Sequence, residues 1–177
     1  MMPGNSWACP DIRRPTASRP GLATVTPVSP ADAPRPRFHL AVPVDDLDAA
    51  RRFYGQVLGC PQGREAATWV DWDLFGHQVV THLVERGDRV AGRNPVDGDD
   101  VPVPHFGLIL GIPQFHDLAD RLSEAGVEFA IDPHLRFAGM PGEQWTMFCF
   151  DPAGNALEFK AFADDADVFR RTSDSDH

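Results

Sequence analysis

Two histidines and one glutamate stand inside segments that otherwise have the composition of buried strands. His39, His105 and Glu158 are each flanked by apolar residues on both sides. Two imidazoles and one carboxylate on a common face form the ligand set of non-heme iron(II) oxygenases, and the same set suits zinc, nickel or manganese in lyases and isomerases. Three fixed ligands leave neighbouring coordination positions open for a chelating substrate. The hypothesis requires that the three side chains share one cavity.

Strand alternation predicts that they do. Every second residue is apolar in RFHLAVPV, PHFGLILG and NALEFKAF. The apolar set should pack against a helix, because successive strand side chains point to opposite faces. His39, His105 and Glu158 belong to the other set. A single strand histidine is more often structural, but three such positions together predict a divalent metal site, with Fe²⁺ favoured and Zn²⁺, Ni²⁺ or Mn²⁺ as alternatives.

The elements that must position these residues occur twice in the same order. The first copy has the strand of His39, a helix in DDLDAARRFYGQVLG and the paired strands TWVDWDLF and HQVVTHLVE. The second has the strand of His105, a helix in IPQFHDLADRLSEAGV and the strands VEFAID, QWTMFCFD and NALEFKAF. The turns DLFG and DPAG precede the last strand of each copy. The sequence therefore predicts an α+β fold in which two βαβββ repeats pair into a curved, barrel-like sheet around a shared cleft.

The flanking segments differ in composition from these repeats. Residues 1–36 hold eight of the 17 prolines and lack strand or helix periodicity, so we predict a disordered, proline-rich tail. The lack of a continuous apolar run argues against a secretory signal, whereas the Arg-containing, acid-poor composition superficially suggests a transit peptide. An inert tail or a misplaced start codon is favoured over targeting. The folded domain should span residues 37–162, with repeat units at about 37–86 and 103–162, and residues 163–177 should form a frayed C-terminal tail. The segment between the repeats is rich in Gly, Pro and Asp, which is typical of a surface connection.

Composition and charge argue against several classes of function. The 177-residue chain carries a net charge of -10, which repels nucleic acid. No window approaches the roughly 18 apolar residues that span a bilayer, so we expect no membrane association. Cys9, Cys60 and Cys149 are odd in number and form no CxxC pair, which argues against a disulfide framework or a thiolate zinc site. A cytoplasmic protein with a small-molecule partner is the expectation.

Five further residues are candidates for substrate chemistry. His82 should face the cleft from the last strand of the first repeat and could accept a proton near neutral pH. His134 and Arg136 should lie in a loop near the cleft mouth, His134 as a catalytic residue and Arg136 as a partner for a substrate carboxylate. Gln78 and Phe148 are predicted to bind substrate, Phe148 as part of an aromatic wall. A surface role is the competing interpretation for His82 and Arg136.

The chain resembles the vicinal oxygen chelate superfamily in the motifs FHLAVPVDDLDAARRFYGQVLG, HFGLIL and FDPAGNALEF. This superfamily includes glyoxalase I, bleomycin-resistance proteins, methylmalonyl-CoA epimerase and extradiol dioxygenases. The resemblance covers about residues 37–162. It implies a cleft between paired βαβββ units in which strand residues, here His39, His105 and Glu158, bind a divalent metal.

Two positions depart from members of that superfamily. Glyoxalase I has a fourth ligand, usually Glu or Gln, where this chain has Val80, and extradiol enzymes have a Tyr where it has Phe148. We therefore expect a divalent-metal-dependent enzyme that acts on a small chelating oxygenated substrate, with a dioxygenase preferred. A glyoxalase-like lyase or isomerase and a non-catalytic small-molecule-binding resistance protein are the alternatives. Repeats of this superfamily can pair within one chain or between chains, so a homodimer is an open expectation.

Overall fold

The computed structural model describes residues 36–85 and 92–171. All but the last residue of the predicted proline-rich tail lies outside these residues, and so does the end of the predicted C-terminal tail. In the part of the C-terminal tail that is described, a 3₁₀ helix spans Asp165–Phe169. The carboxylate of Asp167 accepts a hydrogen bond from the backbone N–H of Gly142 at 3.0 Å. This short helix is therefore hydrogen-bonded to a loop of the second repeat.

The first repeat forms a four-stranded mixed sheet. Its strands are β1 (His39–Val44), β2 (Gln62–Ala66), β3 (Trp69–Leu74) and β4 (His77–Leu83). Their order is β1-β4-β3-β2, with β1 parallel to β4 and the other neighbours antiparallel. Helix α1 (Leu47–Ala50) connects β1 to β2 and continues as a π-helix over Arg51–Val57.

Helix α1 begins at Asp46, one of two aspartates that the sequence allows as a cap. Its Oδ1 accepts hydrogen bonds from the backbone N–H groups of Asp48 at 2.8 Å and Ala49 at 3.0 Å. These bonds satisfy two N–H groups that have no partner inside the helix. They also hold the pKa of the Asp46 carboxyl below its ordinary value. Gly59, with φ of 73°, ends the helical stretch as predicted.

A β-hairpin lies within the predicted surface connection between the repeats. Strand β5 (Gly92–Val96) pairs antiparallel with β6 (Asp99–Val103). Asp97 and Gly98 form the turn between them with φ of 50° and 86°. Asp-Gly favours this left-handed conformation in two-residue hairpin turns. Every residue of β5 is exposed, so the hairpin lies at the surface, although the sequence analysis did not identify its strands.

The second repeat has the topology of the first. Its elements are β7 (His105–Ile109), α2 (Ile112–Glu124), β8 (Phe129–Arg136), β9 (Gln144–Phe150) and β10 (Ala156–Phe162). The strand order is β7-β10-β9-β8, with β7 parallel to β10. The predicted α+β fold of two βαβββ repeats is confirmed. The sheets are not closed into a barrel, since no strand of one pairs with a strand of the other among the described residues.

The helices of both repeats contribute to one hydrophobic core. It contains Phe53 and Tyr54 from the first helical stretch, and Phe115 and Leu122 from α2. The apolar faces of both sheets join it, as the alternation predicted. Tyr54 also donates a hydrogen bond from its hydroxyl to Asp151 of the second repeat at 2.9 Å. The two repeats therefore pack through their helix-covered sides.

The opposite side of each sheet is called its cleft face. On the first sheet, the strand register places His39, Asp71, Gln78 and Val80 there. On the second sheet, it places His105, Gly107, Thr146, Phe148 and Glu158 there. Among the helices of residues 36–85 and 92–171, none has the length and apolar character of a transmembrane segment.

Candidate functional site

A histidine and a glutamate are in contact on the cleft face of the second sheet. His105 Nε2 lies 3.1 Å from Glu158 Oε2. The other carboxylate oxygen, Oε1, accepts a hydrogen bond from the Thr146 hydroxyl at 3.1 Å. Lys160 Nζ also lies 3.1 Å from Oε2. Glu158 is only 6% exposed, and these donors compensate for the hydration that its carboxylate loses.

The absence of a side chain at Gly107 brings these residues together. Gly107 is the register partner of Glu158 where β7 runs parallel to β10. A Cβ atom at this position would lie 1.6 Å from the Glu158 carbonyl oxygen, far inside any allowed contact. Only glycine permits the backbones to approach this closely.

The β5–β6 hairpin holds the His105 ring from its other side. Nδ1 of His105 lies 2.6 Å from the carbonyl oxygen of Pro102. A carbonyl oxygen only accepts, so Nδ1 carries a proton and donates it. The other ring nitrogen, Nε2, faces Glu158 and has two possible states. It can carry a second N–H, which makes the ring an imidazolium, or it can present a lone pair. A lone pair beside the carboxylate requires a cation nearby, because the two electron-rich groups repel each other. Phe148 meets the ring edge-on, with centroids 5.2 Å apart.

The cleft face of the first sheet carries a chain of hydrogen bonds that ends at a buried carboxylate. His39 Nδ1 lies 2.7 Å from Gln78 Oε1. Gln78 Nε2 donates to Asp71 Oδ2 at 3.1 Å, and Arg64 Nε donates to the same oxygen at 3.0 Å. These residues, together with Trp72, line a cavity of about 400 Å³. A cavity of this size suits a small organic ligand.

Asp71 is a polar site residue that the sequence analysis missed. Its neighbours in TWVDWDLF alternate, which already places its side chain on the cleft face. The register of β3 and β4 sets it directly opposite Val80. A carboxylate therefore stands one strand away from the position where glyoxalase I has its fourth ligand. Only the cross-strand register, which the sequence does not provide, reveals this neighbour.

The three predicted metal ligands are divided between the two cleft faces. His105 and Glu158 are adjacent, whereas His39 bonds to Gln78 on the other sheet. Within residues 36–85 and 92–171, no three His, Cys, Asp or Glu side chains converge in a group that could hold a metal ion. His105 and Glu158 fit a divalent ion in donor type and approach, because a ring nitrogen and a buried carboxylate oxygen face the same point. The three-ligand site therefore stays a prediction.

The match with known proteins covers nearly all of both repeats. Residues 38–159 match the family model of the Glyoxalase/Bleomycin resistance protein/Dioxygenase superfamily. The chain belongs to this superfamily. A crystal structure of a glyoxalase/bleomycin resistance protein/dioxygenase from Alicyclobacillus acidocaldarius is 36% identical and has a TM-score of 0.65, with 78% of this chain and 99% of that chain covered.

Two more distant structures show likeness in fold alone. Fosfomycin resistance protein FosX from Listeria monocytogenes is 15% identical with a TM-score of 0.55, over 81% of this chain and 98% of that one. Lactoylglutathione lyase from Agrobacterium tumefaciens is 20% identical with a TM-score of 0.51, over 72% and 94% of the two chains. A search among curated proteins gave no match.

This member of the superfamily has His134 and Arg136 on a strand, so the predicted loop position was wrong. Strand β8 extends to Arg136 because its residues pair with β9, with His134 opposite Thr146. Arg136 is 5% exposed, donates to the Val96 carbonyl oxygen and has its Nε 3.6 Å from Asp99 Oδ2. His134 Nε2 lies 3.2 Å from the same carboxylate oxygen. Both side chains hold the β5–β6 hairpin, and their roles in catalysis and substrate binding stay predictions.

The other predicted substrate residues lie at different depths on the cleft faces of this superfamily member. His82 is exposed on β4, where it is the register partner of Trp69. Gln78 is half-buried and bonded to His39. Phe148 is fully buried against the His105 ring and so lies beneath the cleft surface. The proposed base function of His82 and the substrate contacts of Gln78 and Phe148 stay predictions.

Proposed function

We propose that the protein is a divalent-metal-dependent enzyme that acts on a small oxygenated substrate able to chelate the ion. The observation that carries this proposal is the 3.1 Å approach of His105 Nε2 to Glu158 Oε2. Burying a carboxylate is costly, and a buried carboxylate facing a ring nitrogen is the arrangement expected of two metal ligands. His39 is proposed as the third ligand.

Each residue of the pair has a supporting partner. Thr146 donates to Oε1 of Glu158, which leaves Oε2 for the ion. The Pro102 carbonyl keeps the proton on His105 Nδ1, so that Nε2 provides the electron pair. Lys160 neutralises Glu158 before a cation arrives, and its ammonium is then free to bind an anionic substrate oxygen. A bound divalent ion would supply Lewis-acid chemistry or, if it is iron, oxygen activation.

We further propose that a second copy of the chain completes the site. One chain packs its repeats through their helix sides, and its two sheets share no strand pairing among the described residues. Large apolar side chains are exposed near the cleft faces, with Phe38 59%, Ile109 48% and Val103 44% exposed. We propose that the partner chain covers these side chains. In a two-fold dimer, the first sheet of each chain would face the second sheet of the other.

Val80 favours dioxygenase chemistry over a glyoxalase-type isomerisation. The valine is buried, and it offers no atom that could bind a metal or accept a proton. Its register partner Asp71 is already engaged by Gln78 and Arg64. Three protein ligands therefore remain, which is the number found in non-heme iron oxygenases. The likeness to lactoylglutathione lyase supports the fold alone and does not change this preference.

A non-catalytic binding protein of the resistance type is the second candidate. The observation in its favour is that Glu158 already has three partners without an ion: Thr146, Lys160 and His105. A cavity of about 400 Å³ on the first sheet would then hold the sequestered molecule. Such a protein should bind its ligand equally well with and without a chelator present.

Metal analysis of anaerobically purified protein separates the two candidates. We expect bound iron and oxygen consumption on adding a catechol from a substrate panel, whereas zinc or nickel with hemithioacetal isomerisation would support the lyase branch. His105→Ala and Glu158→Gln should lose the metal. The matched control His82→Ala removes an exposed histidine of β4 and should retain it. Full metal content in His105→Ala, or a wild-type protein that binds no divalent ion after loading, would overturn the proposal.

The free thiols support a reducing compartment, which we propose is the cytoplasm. Cys60 and Cys149 are both free and buried. Burial raises the pKa of each thiol to about 12. Protonated, buried thiols are poor nucleophiles, so we propose that these two cysteines serve as small core residues.

A further inference from the structure

We propose that Asp71 and Gln78 are positioning residues that keep the imidazole proton of His39 on Nδ1 and leave Nε2 as an electron-pair donor in the cleft. The use of this arrangement rests on the proposed function, in which His39 is a metal ligand. The arrangement itself follows from the direction of three hydrogen bonds. It also explains why a buried carboxylate is present on the first sheet, beside the valine that departs from the glyoxalase pattern.

The first step concerns the orientation of the Gln78 amide. Asp71 Oδ2 accepts from Arg64 Nε at 3.0 Å, so this oxygen is an acceptor. The Gln78 amide reaches the same oxygen at 3.1 Å. Only the NH₂ end of the amide can donate there, since the reversed amide would set two acceptor oxygens against each other. Asp71 therefore turns the Gln78 Oε1 atom towards His39.

The second step concerns the His39 ring. Gln78 Oε1 lies 2.7 Å from His39 Nδ1, and an amide oxygen only accepts. Nδ1 must carry the proton, which leaves the lone pair of the neutral ring on Nε2. The Pro102 carbonyl oxygen, at 2.6 Å, likewise holds a proton on Nδ1 of His105. Two different acceptors thus keep the Nδ1 atoms of both histidines protonated, so that only Nε2 can serve as a ligand atom in either ring.

The third step concerns the place of Asp71 in the fold. The residue is 7% exposed and lies opposite Val80 across β3 and β4. Arg64 compensates its charge from a side chain that is 79% exposed. An ion pair with an exposed partner contributes little to stability. The pair with Arg64 therefore does not account for the burial of the Asp71 carboxylate. Its second bond, to Gln78, is the one that reaches the site.

Nitrogen NMR of the imidazole rings in metal-free protein tests the proposal directly. Long-range proton–nitrogen correlations distinguish the two neutral tautomers at about pH 8, where an ordinary histidine is uncharged. We expect wild-type His39 to be protonated on Nδ1. Gln78→Met removes the acceptor and Asp71→Leu removes the group that orients it, so both variants should shift His39 towards the Nε2-protonated form.

Matched controls lie in the same cavity and in the same spectrum. Asp73→Asn changes a second carboxylate of the cavity lining, one that accepts from the Gly76 backbone N–H, and should leave the His39 tautomer unchanged. His105 should keep its wild-type signals in every variant, since its acceptor is Pro102. Wild-type His39 protonated on Nε2, or a folded Gln78→Met protein with an unchanged His39 tautomer, would overturn the proposal. The wild-type and Gln78→Met spectra decide the question even if Asp71→Leu does not fold.

Metal titration then separates this proposal from the proposed function. If both hold, Gln78→Met should weaken divalent metal binding by roughly 10–100-fold, the usual effect of losing the partner of a ligating histidine. Asp71→Leu should weaken it in the same direction, because Asp71 orients Gln78. A wild-type protein that binds no metal but shows the expected tautomers would refute the metal enzyme and retain the positioning role. If the wild-type protein binds metal normally but its His39 is protonated on Nε2 before metal is added, the metal enzyme is retained and the positioning role is refuted.

Discussion

Gly107 shows how one missing side chain sets the geometry of the proposed site. Glu158 and His105 lie on parallel neighbouring strands and contact each other through their side chains. Gly107 lies on the strand of His105, directly opposite Glu158. The carbonyl oxygen that a Cβ would meet belongs to Glu158 itself. A shift that relieved the clash would move β7 or β10, and each strand carries one of the proposed metal ligands. Stability and site geometry are therefore coupled at this position.

Gly107→Ala should lower the free energy of unfolding by at least ~4 kcal/mol, because a backbone atom cannot move aside as a flexible side chain can. Urea unfolding measures the loss. The control is Gly111→Ala, whose Cβ would meet only the Gln114 side chain at 3.4 Å. That change should cost far less, on the order of 1 kcal/mol at a helix N-cap. Equal losses in the two variants would show that the close approach at Gly107 is unimportant.

At the scale of elements, the β5–β6 hairpin is the feature that connects the linker to the site. It supplies the Pro102 carbonyl that holds His105, and it is fastened to β8 by Arg136. Arg136 is buried, and its partners on the hairpin are the Val96 carbonyl oxygen and the carboxylates of Asp97 and Asp99. If the hairpin detaches from β8, the His105 ring should therefore lose its hydrogen bond to Pro102 and become more mobile.

Arg136→Met should release the hairpin at a cost of about 1.5–3 kcal/mol, because it removes a hydrogen bond from a charged, buried guanidinium to the Val96 carbonyl oxygen. Hydrogen exchange should show faster exchange in residues 92–103, with the β9–β10 pairing still protected. Arg93→Met is the control, since the Arg93–Asp100 pair on the same hairpin is exposed and spans 3.5 Å. Its loss should cost no more than about 1 kcal/mol. Unchanged exchange in Arg136→Met would contradict the fastening role.

Periodicity predicted most elements and the face of each strand, but it failed where register or turn geometry decides. His39, His105 and Glu158 lie on the predicted faces because a strand exposes alternate residues whatever its partner. Strand β8 reaches Arg136 because β9 pairs with it that far, which depends on residues distant in sequence. The hairpin depends on the two-residue turn at Asp97 and Gly98. Asp71 belongs to the site because the register of β3 and β4 sets it opposite Val80, and the sequence does not show this register.

At the scale of the whole molecule, Tyr54 links the two repeats through a buried hydrogen bond. Its hydroxyl donates to Asp151, which begins the turn before β10. Burial, together with the nearby Asp151 carboxylate, raises the pKa of Tyr54 well above its ordinary value. The Tyr54 hydroxyl therefore keeps its proton in the folded protein at a pH near 10, where an unfolded tyrosine begins to ionise.

Tyr54→Phe should lower the free energy of unfolding by about 1.5–3 kcal/mol at neutral pH, as expected for a hydrogen bond to a charged group. Above about pH 10 the unfolded tyrosine ionises and the folded one does not, so wild-type stability should fall as pH rises. The variant should show a shallower fall. Tyr54 is the only tyrosine of the chain, so absorbance reports its ionisation without interference. Parallel pH profiles for the two proteins would contradict this account.

The relation between the two sheets is the part of the fold that periodicity could not predict. Alternation identifies the two faces of one sheet, and it says nothing about which other surface a face meets. One chain buries its helix sides in a common core, and His39 bonds within its own sheet. The proposed three-ligand site therefore depends on how chains associate. A site shared between two chains can be distinguished from a site within one chain by mixing variants that each lack one ligand.

Mixing two inactive variants tests where the third ligand comes from. His39→Ala and Glu158→Gln should each lose metal as pure proteins. In a two-fold dimer with sites shared between chains, a mixed dimer has one site that carries both changes and one that carries neither. Random exchange should therefore restore roughly one quarter of the wild-type metal content, since about half of the dimers are mixed. If each site lies within one chain, every site still lacks one of its ligands after mixing. Mixing should then restore no metal binding.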